Sequence, residues 1–228
     1  MNFLKTIKSL TVFEWCLWAV SSLIVLCSFL LSDAVGPLQF IGSLIGVSAL
    51  IFVSKGNVLG QILMIAFCLI YGYISFTERL YGEMITYVGM SCPMAIFSLI
   101  SWIKNPSSED ASVVKVNKIR RNEVIIMLVA GIAVAVIFYF ILSTLGTANI
   151  YLSTASVLTS FIPAYLTFRR SPYYALGYVF NDLVVITIWI IASLSAPSNW
   201  ALVACFVAFL LNDIYGFINW KKMEKTQR

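Results

Sequence analysis

The sequence contains no histidine among its 228 residues. Without an imidazole, a histidine general base, a serine–histidine–aspartate triad and a histidine-ligated metal are all excluded. The chain also lacks a GxxxxGK[ST] phosphate-binding loop, so it cannot hydrolyse ATP by that route. No nucleophile–base pair or cluster of metal ligands is visible in the sequence. These absences favour a protein that is not an enzyme and that needs no cofactor.

Cysteine and charge are sparse. The five cysteines lie in apolar stretches with no CxxC spacing, which is typical of small core side chains rather than of redox or metal sites. Charged residues make up 11% of the chain and hydrophobic residues 61%, outside the range of soluble globular domains. Basic residues are not interleaved with aromatic ones as a nucleic-acid surface requires. We therefore expect a lipid bilayer and a small molecule as partners, and no nucleic acid.

Long apolar runs dominate what is present. A helix that crosses a hydrocarbon core about 30 Å thick needs about 20 apolar residues. Eight such runs can be marked, at 12–31, 38–54, 58–77, 81–103, 123–143, 149–168, 172–194 and 198–220. They predict an all-α integral membrane protein with eight transmembrane helices. The first run has no clear small-x-small cleavage site, and Trp15 and Trp18 suit an interface anchor, so we expect a retained helix rather than a signal peptide.

The positions of Lys and Arg predict the orientation of the chain. With both termini in the cytoplasm, 14 of the 15 basic residues fall in cytoplasmic segments. Arg79 falls on the outer side. Several tryptophans lie near the ends of the runs, where we expect them to sit in the membrane–water interface. These tryptophans are Trp15, Trp18, Trp102, Trp200 and Trp220.

Two groups of three runs resemble each other. Their third runs end in Ser101-Trp102-Ile103-Lys104 and Asn219-Trp220-Lys221-Lys222. A three-helix unit can repeat in the same orientation only if an odd helix lies between the copies, and the fifth run, which is uncharged from Val124 to Leu142, supplies it. The predicted organisation is an N-terminal transmembrane helix (1–34), a three-helix bundle (35–105), a cytosolic loop and linker helix (106–148), and a second three-helix bundle with a basic tail (149–228).

Two Asn-Asp pairs, Asn181-Asp182 and Asn212-Asp213, interrupt apolar runs. Each lies about 12–15 Å from the cytosolic end of its run, near the middle of the bilayer. Two interpretations are open: a hydrogen-bond network that joins the last two helices, or the polar wall of a substrate pathway. No Lys or Arg shares their level. We therefore expect at least one of the aspartates to be protonated at neutral pH and to donate a hydrogen bond.

Aromatic side chains lie at similar depths. Amides and carboxyls beside aromatic faces suit a flat ring that bears hydroxyls, such as a nucleoside or vitamin. The fourth run also contains Pro93, which predicts a kink. The predicted substrate-binding residues are Gln61, Tyr71, Tyr87, Tyr178, Asn181, Asp182, Trp189, Asn212, Asp213 and Tyr215.

Four stretches carry a family resemblance: GNVLGQILMIAFCLIYGYISF, YGEMITYVGMSCPMAIFSLISW, SPYYALGYVFNDLVVITIW and FLLNDIYGFINWKK. Together they resemble the PnuC-type nicotinamide riboside transporters. The resemblance implies a SWEET-like 3+1+3 fold, with two three-helix bundles joined by a linker helix. It also implies uptake of nicotinamide riboside by facilitated diffusion across a bacterial inner membrane, for NAD synthesis.

The resemblance extends to single positions. Asn181 matches an Asn that contacts the ribosylated ring in family members. The Trp that precedes it by four residues in family members is replaced here by Gly177. In the fourth helix, family members place a Gln near the position of Tyr87. The related cargoes thiamine, riboflavin and deoxynucleosides therefore stay open. So do a membrane-embedded binding subunit that requires an ATPase partner, and a homo-oligomer.

Overall fold

The structure, a computed structural model, describes residues 7, 9–31, 36–77, 84–146, 150–195 and 200–227. The side chains at 189, 192, 193, 195 and 200–202 are outside this description. Lys5, Lys8, Arg79 and Arg228, which entered the predicted orientation, lie outside the described residues, as do the side chains of Trp189 and Trp200.

Eight α-helices lie in the described part of the chain: α1 (Val12–Leu30), α2 (Pro37–Ser54), α3 (Val58–Thr77), α4 (Cys92–Lys104), α5 (Arg121–Thr144), α6 (Ile150–Phe168), α7 (Tyr174–Ser195) and α8 (Trp200–Thr226). Seven of them are long and apolar enough to cross a membrane, with α4 counted together with the turn before it. The described apolar stretch of α7, Tyr174–Ile188, is shorter. The predicted all-α membrane architecture is confirmed, while the exact 3+1+3 arrangement stays a prediction.

Contacts between helices link the two predicted groups directly. Within the groups, α2 packs on α3, α3 on α4, α6 on α7 and α7 on α8. Between them, α8 packs on α2 and α4 packs on α6, while α5 packs on α6. α1 packs on α2 and α8. Six helices, α2–α4 and α6–α8, therefore surround a common interior.

The turns after α2 and α6 have the same form. Gly56 and Arg170 both have positive φ, 65° and 59°. The amides of the next residues, Asn57 and Ser171, donate back to carbonyls of the preceding helix, each over 2.9 Å. This left-handed closure is a common way to end a helix and is least strained for glycine. The shared turn is independent structural support for the repeat seen in the sequence.

The segment 105–120, which connects α4 to α5, crosses both of these turns. The amide of Val114 donates to the carbonyl of Gly56, and the amide of Asn117 donates to the carbonyl of Arg170, each over 2.9 Å. These bonds satisfy carbonyls that the helix ends leave unpaired. We call the end of the bundle that carries this segment the basic face, because Lys and Arg concentrate there.

Trp102 and Trp220 are fully buried at this end of the bundle. Their indole nitrogens donate to the carbonyls of Thr167 and Val53, each over 2.9 Å. Each tryptophan therefore caps the last turn of a helix in the opposite group, and the two rings contact each other at 5.5 Å. The prediction that these two residues lie in the membrane interface is wrong. The unpaired carbonyls at the ends of α2 and α6 bind their N–H groups inside the protein.

Candidate functional site

A cavity of about 490 Å³ lies in the interior shared by α2–α4 and α6–α8. Its volume falls within the range of roughly 300–1,000 Å³ that small-molecule sites occupy. The wall is largely apolar, with hydroxyl, amide and carboxyl groups at a few positions. Six of the ten predicted binding residues line it: Gln61, Tyr87, Tyr178, Asn181, Asp182 and Asp213.

Asn181 is held in the cavity wall by two hydroxyl groups of α6. Its side-chain oxygen accepts hydrogen bonds from Thr159 at 2.9 Å and Ser160 at 2.8 Å. In the described part of the chain, no group accepts a hydrogen bond from its Nδ2. Because the oxygen is fixed by α6, this N–H₂ group can donate to a molecule in the cavity.

Asp182 and Asp213 bring their carboxyl groups together across α7 and α8. Both side chains are buried, with 4% of each residue exposed, and both line the cavity. The two carboxyls lie within hydrogen-bonding reach of each other. The residues of the cavity wall that the structure describes include no Lys or Arg. The pair is therefore the acidic part of the wall.

Aromatic rings form another part of the wall. Tyr87 packs on Tyr71 with ring centroids 4.4 Å apart, and on Phe67 at 5.9 Å. Tyr71 therefore supports the wall from behind rather than lining it. Across the cavity, the ring of Tyr178 packs on that of Tyr174, with ring centroids 6.2 Å apart. The rings offer flat apolar faces to a planar ligand.

A π-helical turn, Thr86–Ser91, precedes α4 and contributes Thr86, Tyr87 and Ser91 to the wall. Pro93 has no N–H to continue the regular hydrogen-bond ladder, and π turns often occur where the ladder is interrupted. The π-helical turn lies at the cavity, just before Pro93, while the kink predicted at Pro93 stays a prediction.

Asn212 and Tyr215 do not line the cavity; they contact α1 instead. Nδ2 of Asn212 donates to Ser21 Oγ over 2.9 Å. The hydroxyl of Tyr215 donates to Glu14 over 2.7 Å. The structure thus divides the second Asn-Asp pair, with its Asp in the cavity wall and its Asn in the α1–α8 interface. The tenth predicted residue, Trp189, has its side chain outside the described residues.

Glu14 is the centre of the α1 interface and was not singled out in the sequence. Glu14 is 1% exposed, and its carboxylate pairs with the ammonium group of Lys55 at 2.9 Å. It also accepts from the amide of Thr11 over 2.6 Å in a capping box that begins α1. The T-x-x-E pattern at the start of the first apolar run is the signal that could have found it.

Gly177, where the resemblance places a Trp, touches α6 directly. A Cβ at this position would lie 2.9 Å from Cβ of Pro163. No side chain fits between the two helices at this point without moving them. The flat surface for a ring therefore comes from the tyrosines rather than from position 177.

Small hydroxyl residues complete the wall and were missed in the sequence. Ser153, Ser156 and Ser160 all line the cavity from α6. Their spacing of three and four residues places them on one face of a helix. Hydroxyls at helical spacing inside an apolar run are a usable signal for such a face.

Comparison with known proteins identifies the family. A family model described as nicotinamide mononucleotide transporter matches residues 36–222, which include the helices around the cavity. The chain belongs to this family. It is therefore a multi-pass membrane transporter of the nicotinamide mononucleotide transporter family, which is not a family of enzymes.

Two relatives are similar to this protein over most of its chain. One is nicotinamide riboside transporter PnuC of Neisseria mucosa, 25% identical over 193 residues, which are 82% of this chain and 73% of that protein. The other is nicotinamide riboside transporter PnuC of Haemophilus influenzae, 22% identical over 190 residues, which are 82% and 80%. A crystal structure of the vitamin B3 transporter PnuC shares the fold, with a TM-score of 0.82, 23% identity, and coverage of 96% of this chain and 95% of that one.

Proposed function

We propose that this transporter takes up nicotinamide riboside by facilitated diffusion. The main observation behind this proposal is the cavity. It places an amide donor, tyrosine rings and a carboxyl pair around one space, inside the helices that the family model matches. Both curated relatives above are named as nicotinamide riboside transporters. The contents of the wall suit the parts of such a molecule, a flat amide-bearing ring and a polyhydroxyl sugar.

The charge of the wall favours the riboside over the mononucleotide of the family description. The mononucleotide adds a phosphate, and a phosphate anion is repelled by carboxyl groups in a site of low dielectric constant. The riboside has no phosphate, and its ring is a pyridinium cation. The Asp182–Asp213 pair therefore disfavours the larger molecule by charge.

The geometry supports individual roles for residues of the wall. Asn181 donates a hydrogen bond through Nδ2, while its oxygen stays bound to α6. Tyr87 and Tyr178 face the ring, and Gln61 contributes a further polar contact to the wall. The close approach of Gly177 to α6 explains why tyrosines take this place.

The direction of transport completes the proposal. We place the basic face in the cytoplasm of a bacterial cell, with both termini there, because Lys and Arg concentrate on that side. The two three-helix groups form a 3+1+3 arrangement with α5 as the linker. Conversion of the vitamin inside the cell toward NAD keeps the gradient inward, so no ATPase partner is required.

A binding panel tests the choice of cargo. Purified protein would be titrated with nicotinamide riboside, nicotinamide mononucleotide, thiamine, riboflavin and a deoxynucleoside. We expect the riboside to bind most tightly. Tighter binding of thiamine, riboflavin or the deoxynucleoside would assign the protein to that cargo, and tighter binding of the mononucleotide would refute the charge argument.

A further inference from the structure

The carboxyl pair is more than a polar patch, because its two members cannot carry independent charges. Oδ2 of Asp182 is buried and has no hydrogen-bond partner among the described residues. The carboxyl of Asp213 lies within hydrogen-bonding reach. Two carboxylates have no proton to place between them, so a hydrogen bond requires that one be protonated. Carboxyls this close therefore titrate as a unit.

The groups that face the pair leave its charge uncompensated. Tyr174 and Tyr178 of α7 and Cys205 of α8 lie close enough to interact electrostatically with the pair, and Cys68 of α3 lies near Tyr178. Tyr87 of the turn before α4 lies in the same cavity. α2 and α6 contribute only apolar and hydroxyl side chains to the described wall. Glu14 of α1 forms an ion pair with Lys55. Phenols and thiols are neutral between about pH 5 and 7.5.

We propose that Asp182 and Asp213 share one proton and act together as an anionic pair that selects cationic substrates. One shared proton leaves one negative charge near the middle of the membrane, which is costly without a partner. A cation in the cavity supplies that partner. The inference rests on the proposed function in one respect: nicotinamide riboside is a cation, since its ring nitrogen carries a fourth bond to ribose.

The shared charge makes an unusual prediction for single substitutions. Asp213→Asn removes one acid but provides an amide that donates to the carboxylate of Asp182, and Asp182→Asn does the reverse. Each single variant keeps one ionisable group with a donor beside it. The negative charge therefore survives in both single variants and is removed only in the double variant Asp182→Asn/Asp213→Asn.

The test compares two ligands of nearly the same shape and different charge. Nicotinamide riboside is the cation, and 1,4-dihydronicotinamide riboside is its neutral counterpart. Dissociation constants would be measured near pH 7.5 for the wild type, both single variants, the double variant, and Glu123→Gln as the matched control. Glu123 is a carboxylate of α5 that pairs with Arg169 outside the cavity.

In the double variant we expect cation binding to weaken by about 10- to 100-fold, the effect of removing one nearby charge in a partly shielded site. Binding of the neutral ligand should change by less than about threefold on the same scale, which also shows that the cavity is intact. The single variants and Glu123→Gln should keep the wild-type preference for the cation. Equal loss of both ligands, or an unchanged preference in the double variant, would overturn the proposal.

A pH series on the wild type tests the same idea without a variant. As the pH is lowered, the pair takes up a second proton and loses its charge, so cation affinity should fall while that of the neutral ligand stays constant. A pH-independent preference would contradict the shared charge and leave the transport proposal standing. If the wild type binds neither ligand, the proposed function itself is refuted, and the anionic pair with it.

Discussion

Removing the Asn181 side chain should weaken substrate binding with little loss of stability. Its oxygen is held by Thr159 and Ser160, so Nδ2 is the group that we propose binds the substrate. Losing this bond and leaving its partner unsatisfied should cost about 1–3 kcal/mol of binding. That corresponds to a rise of about 5- to 150-fold in Kd. Thr159 has a second acceptor, the carbonyl of Ala155 at 3.0 Å, so the fold should lose only about 1 kcal/mol.

Asn212→Ala is the matched control, because it removes the same side chain from a different environment. Asn212 is 1% exposed and donates to Ser21 Oγ and to the carbonyl of Ala208, over 2.9 and 2.7 Å. Its loss leaves these buried acceptors without their donor at the α1–α8 interface. We expect the free energy of unfolding to fall by about 1–3 kcal/mol, and Kd to stay at the wild-type value.

Titration calorimetry on purified protein gives Kd, and thermal unfolding in the same detergent gives the change in stability. Asn181→Ala should raise Kd with little loss of stability, and Asn212→Ala should lower stability without raising Kd. Wild-type affinity in a folded Asn181→Ala protein would refute the role of Asn181. A large rise in Kd for Asn212→Ala at unchanged stability would show that Asn212 reaches the substrate and that the described division of the pair is incorrect.

Further expected outcomes concern packing and helix contacts, each measured by thermal unfolding. Gly177→Ala should lose about 1–3 kcal/mol, because the new methyl overpacks the contact with α6, whereas Gly89→Ala, whose methyl meets only an ordinary contact at 3.7 Å, should change stability little. Equal effects would contradict the close approach. Lys55→Met should lower the free energy of unfolding by about 3 kcal/mol, because it leaves the buried Glu14 carboxylate without its ion-pair partner. Wild-type stability would show that the ion pair is dispensable. Trp220→Phe should lower the free energy of unfolding by about 1 kcal/mol, because it removes the hydrogen bond to the carbonyl of Val53. Unchanged stability would show that Trp220 contributes through packing alone.

The positions of the helices could be predicted from sequence because bilayer thickness alone sets their length. The end of α8 could not. Its last residues, from Lys221 to Thr226, are polar except for Met223, so hydropathy ends the run at Trp220. The helix continues because Lys221 pairs with Glu224 at 2.6 Å, and because Gln227 binds the segment 105–120. The contacts of Gln227 depend on a distant part of the chain.

The depth of the Asn-Asp pairs was also predictable, but the direction of each side chain was not. Consecutive residues of a helix point about 100° apart, so Asp213 faces the cavity while Asn212 faces α1. In a soluble protein, an apolar stripe would have shown which face is inside. In a membrane both the lipid-facing and the protein-facing sides are apolar, so this signal is weak.

Transport by the purified chain alone is the most direct test of the central claim. Liposomes containing only this protein would be given labelled nicotinamide riboside outside, with no nucleotide and no ion gradient. The account predicts that the internal concentration rises to the external one and stops there, more slowly with Asn181→Ala at equal protein content. An empty lumen with folded protein, or accumulation above the external concentration, would contradict facilitated diffusion.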